Sequence, residues 1–274
     1  MCKLCYKNVI DEGEFFDKNA DIFTDQEYSD FINGVYEGTI NKYALPDLFY
    51  TKTAFFLQDG LKQGLQDKIV YASIGSPDHL LTQKMTENTY FFSAAKTYQQ
   101  TIDLTNAMFD DKGLVIELEE FIEKAKSILV DYNEVYLAVE RNMALAMGRG
   151  ARDWQVAQED KEFLPLLQYE TVGDKKVRPE HARLDNITKP VDDAFWNTYF
   201  PPNGWRCRCT TLQLSDKAKV TKTKKDDLPM IDPIFAFNPG VKKIVYSLEH
   251  PYFNVPKEDK ELKANNFGLK PIEL

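Results

Sequence analysis

The chain has 274 residues, 43% of them apolar, with 13 glycines and 13 prolines. That is enough apolar mass for a buried core, which excludes global disorder, and too little Gly and Pro for a collagen-like or low-complexity architecture. Its 34 Lys and Arg against 43 Asp and Glu give a net charge of −9, the wrong sign for a protein that coats DNA or RNA.

No stretch approaches the roughly 18 consecutive apolar residues of a membrane helix. The start, MCKLCYKNVIDEGEFF, lacks the apolar core of a signal peptide. A soluble product of a reducing compartment is expected, with no membrane contact. The four cysteines fit this, being too few for a disulfide framework, and come as Cys2/Cys5 and Cys207/Cys209.

Residues 11–37 hold nine acidic residues and one basic, Lys18. Thr24 and Glu27 have the spacing of a capping box, and Tyr28, Phe31, Ile32, Val35, Tyr36, Ile40 and Tyr43 follow at helical intervals. The acidic run is read as the solvated face of that helix. From Leu48 to Leu81 the pattern is mixed, with a turn or helix start at Gly75-Ser76-Pro77-Asp78. Helix formers fill 83–109, and Asp110-Asp111-Lys112-Gly113 breaks the pattern. A second helix shows in Leu118, Phe121, Ile122, Ala125, Ile128, Leu129 and Tyr132, and a third runs over about 134–158.

After Pro165 the texture changes. LLQYETVGDKKVRPEHARLD reads as a β-like segment, a Gly-Asp hairpin-type turn and a second extended piece. Trp205-Arg206-Cys207-Arg208-Cys209 alternates, placing Trp205, Cys207 and Cys209 on one side, with a bulge or turn expected near Thr210. Residues 217–225 form a lysine-rich loop. The expected fold class is α+β: a mostly helical region 1–132 with the acidic segment 11–37, a compact mixed α+β domain with short strands over 133–252, and a polar tail 253–274.

Motifs for a hydrolase elbow, a zincin, a phosphate loop and a dinucleotide site are all missing, and there are three histidines, His79, His181 and His250. Arg178 and His181 bracket Pro179, which places them at a strand end or in a turn, with Asp174 or Asp185 as an ionic or hydrogen-bond partner. His181, Cys207 and Cys209 are candidate Zn²⁺ ligands, with Asp174, Asp185 or water as a fourth. The competing reading is a hydrogen-bonded polar staple, preferred here because the one-residue cysteine spacer leaves the ligand set one short. No other cofactor is expected. Cys2 and Cys5 have knuckle spacing without a second half nearby; a Cys₄ site with Cys207 and Cys209 is the alternative to free thiols. Phe195, Trp196, Phe200 and Trp205 are read as core-sealing aromatics rather than a binding groove.

These residues carry a resemblance. Asp174, Arg178 and His181, then Asp193, Phe195 and Trp196, then Pro201, Pro202, Asn203, Gly204, Trp205, Cys207, Arg208 and Cys209 resemble the signature of the phage Mu protein F-like family of minor head, or head morphogenesis, proteins. The similarity extends upstream through FSAAKTYQQ at 92–100, Asn133, Tyr136, Leu137, Glu140 and Trp154. Downstream it takes in Phe237-Asn238-Pro239-Gly240 and His250-Pro251-Tyr252.

The resemblance covers about 83–252 and leaves 1–47 unmatched. It implies a non-enzymatic minor head protein of a Mu-like phage or prophage, acting in head assembly and in DNA packaging and ejection. The partners it implies are portal and capsid proteins, with packaged DNA touched weakly. It would be made in the bacterial cytoplasm and end inside the virion head. Two alternatives stand beside it. Families with this module occur fused to toxin domains, and an ADP-ribosyltransferase-like enzyme would use Arg178, His181 and Glu140 but lacks a second carboxylate motif. A DNA-contacting accessory protein would use Lys217, Lys219, Lys222, Lys224 and Lys225, a run otherwise read as a solvated loop.

Overall fold

A computed structural model describes residues 22–270 and residue 272. Cys2, Cys5 and the acidic residues 11–21 lie outside the described residues. Among the described residues helix predominates and the strands form one small antiparallel sheet, so the fold is α+β, as the sequence predicts.

Helix α1 spans Asp25–Tyr36, and its capping box forms as predicted: the Thr24 hydroxyl accepts from the Glu27 amide while the Glu27 carboxylate accepts from the Thr24 amide. The helix stops earlier than its apolar stripe suggests, because Gly38 takes a left-handed φ of 77°. Helix α2, Asp47–Leu65, lies where the sequence reads as mixed. It is followed by the short α3, Asp67–Val70, and the long α4, Pro77–Ala107. Helix α5, Leu118–Val130, continues through a π-helical stretch, Asp131–Tyr136, into α6, Leu137–Glu159.

Strand β1, Leu166–Glu170, is the centre of the sheet. It pairs antiparallel with β2, Thr188–Pro190, through Leu167↔Lys189, and with β3, Thr210–Leu214, through Gln168↔Leu212. No strand follows the Gly-Asp turn directly. Gly173 makes the turn with φ 69°, but Pro179–Ala182 then forms a one-turn helix, α7. Proline suits its first position, where the missing N–H has no partner to lose. The remaining short helices are α8, Trp196–Tyr199, α9, Pro239–Lys242, and α10, Lys260–Ala264.

The chain folds as two compact units, with the division falling inside α2, α4 and α6. In one, the described residues up to Gln58 join Glu87–Arg141 and those from His250 onward. In the segment read as a polar tail, Phe267 and Leu269 are buried, and Asp259 accepts from the Tyr98 hydroxyl and the Lys42 ammonium. The other unit combines Asp59–Thr86 with Asn142–Glu249 and contains the sheet. Among the described residues, no helix is long and apolar enough to cross a membrane.

Candidate functional site

The motif residues of the second unit converge on one buried histidine. His181 is the third residue of α7 and is 2% exposed. Its Nδ1 faces the Cys207 and Cys209 sulfurs at 3.7 and 3.6 Å, and its Nε2 faces the Asn203 carbonyl at 3.3 Å. The three candidate ligand atoms lie within 4.8 Å of one another. A carbonyl oxygen only accepts, so the ring proton belongs on Nε2 and the Nδ1 lone pair points at the sulfurs.

The cysteines do not reach this place on an extended strand. Arg206 adopts a left-handed φ of 55°, the Cys207 amide donates back to the Gly204 carbonyl, and pairing starts only at Thr210. The turn therefore precedes the cysteines instead of following them at Thr210. Arg178 caps the approach: it stands just before α7 and donates to the Trp205 carbonyl at 2.6 Å.

Asn203 is the hub. Its side-chain amide donates to the Thr198 and Phe200 carbonyls, and its Oδ1 accepts from the Tyr169 hydroxyl, 3.2 Å away on β1. Burial, then the charge of the two cysteines, pushes the Tyr169 pKa up. Cys209 donating to Cys207 holds the Cys207 thiol well below its usual range. Cys209 is pushed up by Cys207 and by burial.

The two aspartates offered as partners are engaged elsewhere. Asp174 forms a bidentate pair with Arg208 at 2.6 and 2.8 Å on the surface, not with Arg178 or His181. That pairing lowers the Asp174 pKa to about 2. Asp185 accepts from the Thr171 amide and hydroxyl and from the Asn186 side chain.

The rest of the signature frames this cluster. Trp196 and Phe200 are buried, as are Phe195 and Trp205, which makes these aromatics core. Helix α6 carries Gly150 and Trp154 one turn apart. A Cβ on Gly150 would lie 2.8 Å from the Pro201 carbonyl, and one on Gly240 would lie 2.6 Å from the Trp154 ring. The Pro201-Pro202-Asn203 and Asn238-Pro239-Gly240 segments thus sit against the same helix face. A cavity of about 100 Å³ is bordered by Arg149, Asp153, Pro202, Cys207 and Cys209.

The lysine run lies apart from these contacts. Lys217, Lys219, Lys222 and Lys224 are exposed, and between them the Thr221 amide donates to the Thr188 carbonyl, tying the loop to β2.

The upstream and downstream motifs build a second polar cluster, in the first unit. Lys96 and Glu140 are fully buried and paired. The Lys96 ammonium also donates to the Tyr132 carbonyl in the π-helical stretch, and the Tyr252 hydroxyl donates to Glu140 at 2.9 Å. The His250 Nδ1 accepts from the Tyr252 amide, and burial, with Lys96 adding to it, holds the His250 pKa down at about 3. Burial pushes the Lys96 pKa down, while Glu140 opposes the shift. Glu140 is therefore committed to holding the fold, which removes the carboxylate that the ADP-ribosyltransferase-like reading requires. Tyr169 and Lys96 were not singled out from the sequence; a tyrosine inside a strand and a lysine inside a helix carry no local signal of polar burial.

Residues 115–212 match the family model described as Phage Mu protein F like protein. Over this segment the chain is similar to the Mu protein F-like family, the resemblance its signature carries. Over 79 residues it is 42% identical to the putative capsid assembly protein F of Escherichia phage Mu, which covers 29% of this chain and 18% of that protein. Over 67 residues it is 37% identical to the Mu-like prophage FluMu F protein of Haemophilus influenzae, covering 24% of this chain and 16% of that protein. The matched segment thus spans less than a fifth of either relative. No solved structure matches the chain.

Proposed function

We propose that this chain is a non-enzymatic minor head protein of a Mu-like phage or prophage. It acts in head assembly and in DNA packaging and ejection by contacting portal and capsid proteins, first in the bacterial cytoplasm and then inside the virion head. The observation that carries the reading is the 42% identity over 79 residues to a protein named for capsid assembly. The family match supports it, because residues 115–212 contain the His181/Cys207/Cys209 cluster and its Asn203 hub.

Contact with packaged DNA is minor on this reading. The net charge is −9, and one short lysine run neutralises few phosphates, so retention on DNA should fall away steeply as salt rises.

The test is deletion of the gene in the prophage or phage that carries it, with complementation, together with affinity capture of the portal protein from induced cells. Loss of filled heads and co-purification of the portal are expected. Normal numbers of DNA-filled heads without the gene would overturn the proposal.

A further inference from the structure

We infer that His181 Nδ1, Cys207 Sγ and Cys209 Sγ bind one Zn²⁺, with the fourth coordination position open to the cavity beside the two cysteines. The inference concerns the chemistry of this cluster and stands independently of the role in head assembly.

Geometry carries it. With Zn–S bonds of about 2.3 Å and a Zn–N bond of about 2.05 Å, a tetrahedral site has N···S edges of about 3.6 Å. The observed N···S separations are 3.7 and 3.6 Å. Both N···S edges thus match such a tetrahedron, and all three donor atoms lie within 4.8 Å of one another.

The polar-staple reading accounts for less. In that reading Nδ1 accepts from one thiol at a time and the sulfurs otherwise bond to each other, although both are held at equal range from Nδ1. A metal uses both. The far side of the ring is also arranged as metal-binding histidines require, with Nε2–H directed at the Asn203 carbonyl, which fixes the tautomer and the ring plane. Asn203 is itself held by the Tyr169 hydroxyl and two backbone carbonyls, so the support is rigid.

The donor set selects the metal class. Two thiolates and an imidazole suit Zn²⁺ and disfavour Mg²⁺ or Ca²⁺, which take oxygen ligands. The fourth ligand is neither Asp174 nor Asp185, both of which are engaged elsewhere. The cavity of about 100 Å³ bordered by both cysteines has room for water there. Bound metal would join the α7 turn to the chain entering β3 and pin the segment between them.

The full-length chain, purified without chelator, is to be assayed for metal by elemental analysis. The stripped protein is then titrated with Co²⁺ and followed by absorbance. One zinc per chain is expected, as is a tetrahedral Co²⁺ spectrum with thiolate charge-transfer bands. Cys2→Ser/Cys5→Ser should retain both signals, and His181→Gln and Cys207→Ser/Cys209→Ser should lose them. Should those variants not fold, the wild-type Co²⁺ spectrum and the Cys2→Ser/Cys5→Ser control still decide. Folded wild-type protein that holds no stoichiometric zinc and gives no Co²⁺ spectrum would overturn the site, as would metal that disappears with Cys2 and Cys5.

Discussion

The two buried polar clusters of this molecule differ in how they are completed. In the Lys96–Glu140 cluster every charge meets its partner within the chain: the ammonium has Glu140 and the Tyr132 carbonyl, and the carboxylate has Lys96 and the Tyr252 hydroxyl. In the His181 cluster an imidazole and two thiols converge, a donor set that suits a metal ion. A buried ion pair closes itself, whereas a ligand set depends on what the solution supplies. The two clusters therefore do two jobs, one self-contained and one conditional.

The largest expected effect breaks the self-contained cluster. Glu140→Ala leaves Lys96 buried and uncompensated, at a cost of about 3–5 kcal/mol in chemical denaturation. Loss of less than about 1 kcal/mol would show that the pair is dispensable, and the contrast between the clusters would fail.

The second concerns pH. Folded His250 stays neutral down to about pH 3, while in the unfolded chain it binds a proton near pH 6.5. Between those values the unfolded state holds more protons, so stability falls as pH drops through that window. By pH 5 the loss relative to pH 7 should be about 2 kcal/mol, and His250→Gln should flatten that part of the stability–pH curve. The lowered carboxylates Glu27 and Asp259 act at lower pH, because their folded-state pKa values lie below the ordinary carboxylate value. An unchanged slope in the variant would show that His250 does not titrate as described.

A third prediction tests how tightly the conditional cluster is framed. In Gly150→Ala the new Cβ meets the Pro201 carbonyl at 2.8 Å, and the shift needed to relieve this should cost about 1–3 kcal/mol by thermal or urea unfolding. A neutral result would mean that the Pro201-Pro202-Asn203 segment can move without loss. The smallest effect is expected from Asp174→Asn, whose surface pair with Arg208 is half exposed. Its melting temperature should be unchanged, and so should the metal content of the protein.

Much of this was legible in the sequence because its signals are local. The Thr24/Glu27 capping box, the apolar stripe of α5 and the β-like Leu166–Glu170 depend on neighbours a few residues apart. Helix α2 was missed although Tyr50, Ala54, Leu57, Leu61 and Leu65 recur at helical spacing, because glycines and an aromatic run obscure the stripe. Gly64 is required there by a close approach, since a Cβ would lie 2.1 Å from the Leu145 carbonyl. The alternation of Trp205 to Cys209 suggested a strand, but the left-handed Arg206 and the turn at Gly204 bring both cysteines to His181 by another route. Long-range partners had no signature at all. Nothing local pairs Lys96 with Glu140, or assembles each compact unit from separated stretches of chain.

The measurement that tests the contrast most directly is hydrogen–deuterium exchange on the full-length protein with and without a zinc chelator. Segments 179–182 and 203–210 should lose protection when metal is removed, while 92–100, 132–140 and 250–253 keep theirs. Protection that is the same with and without chelator, or lost equally in both sets of segments, would contradict the account.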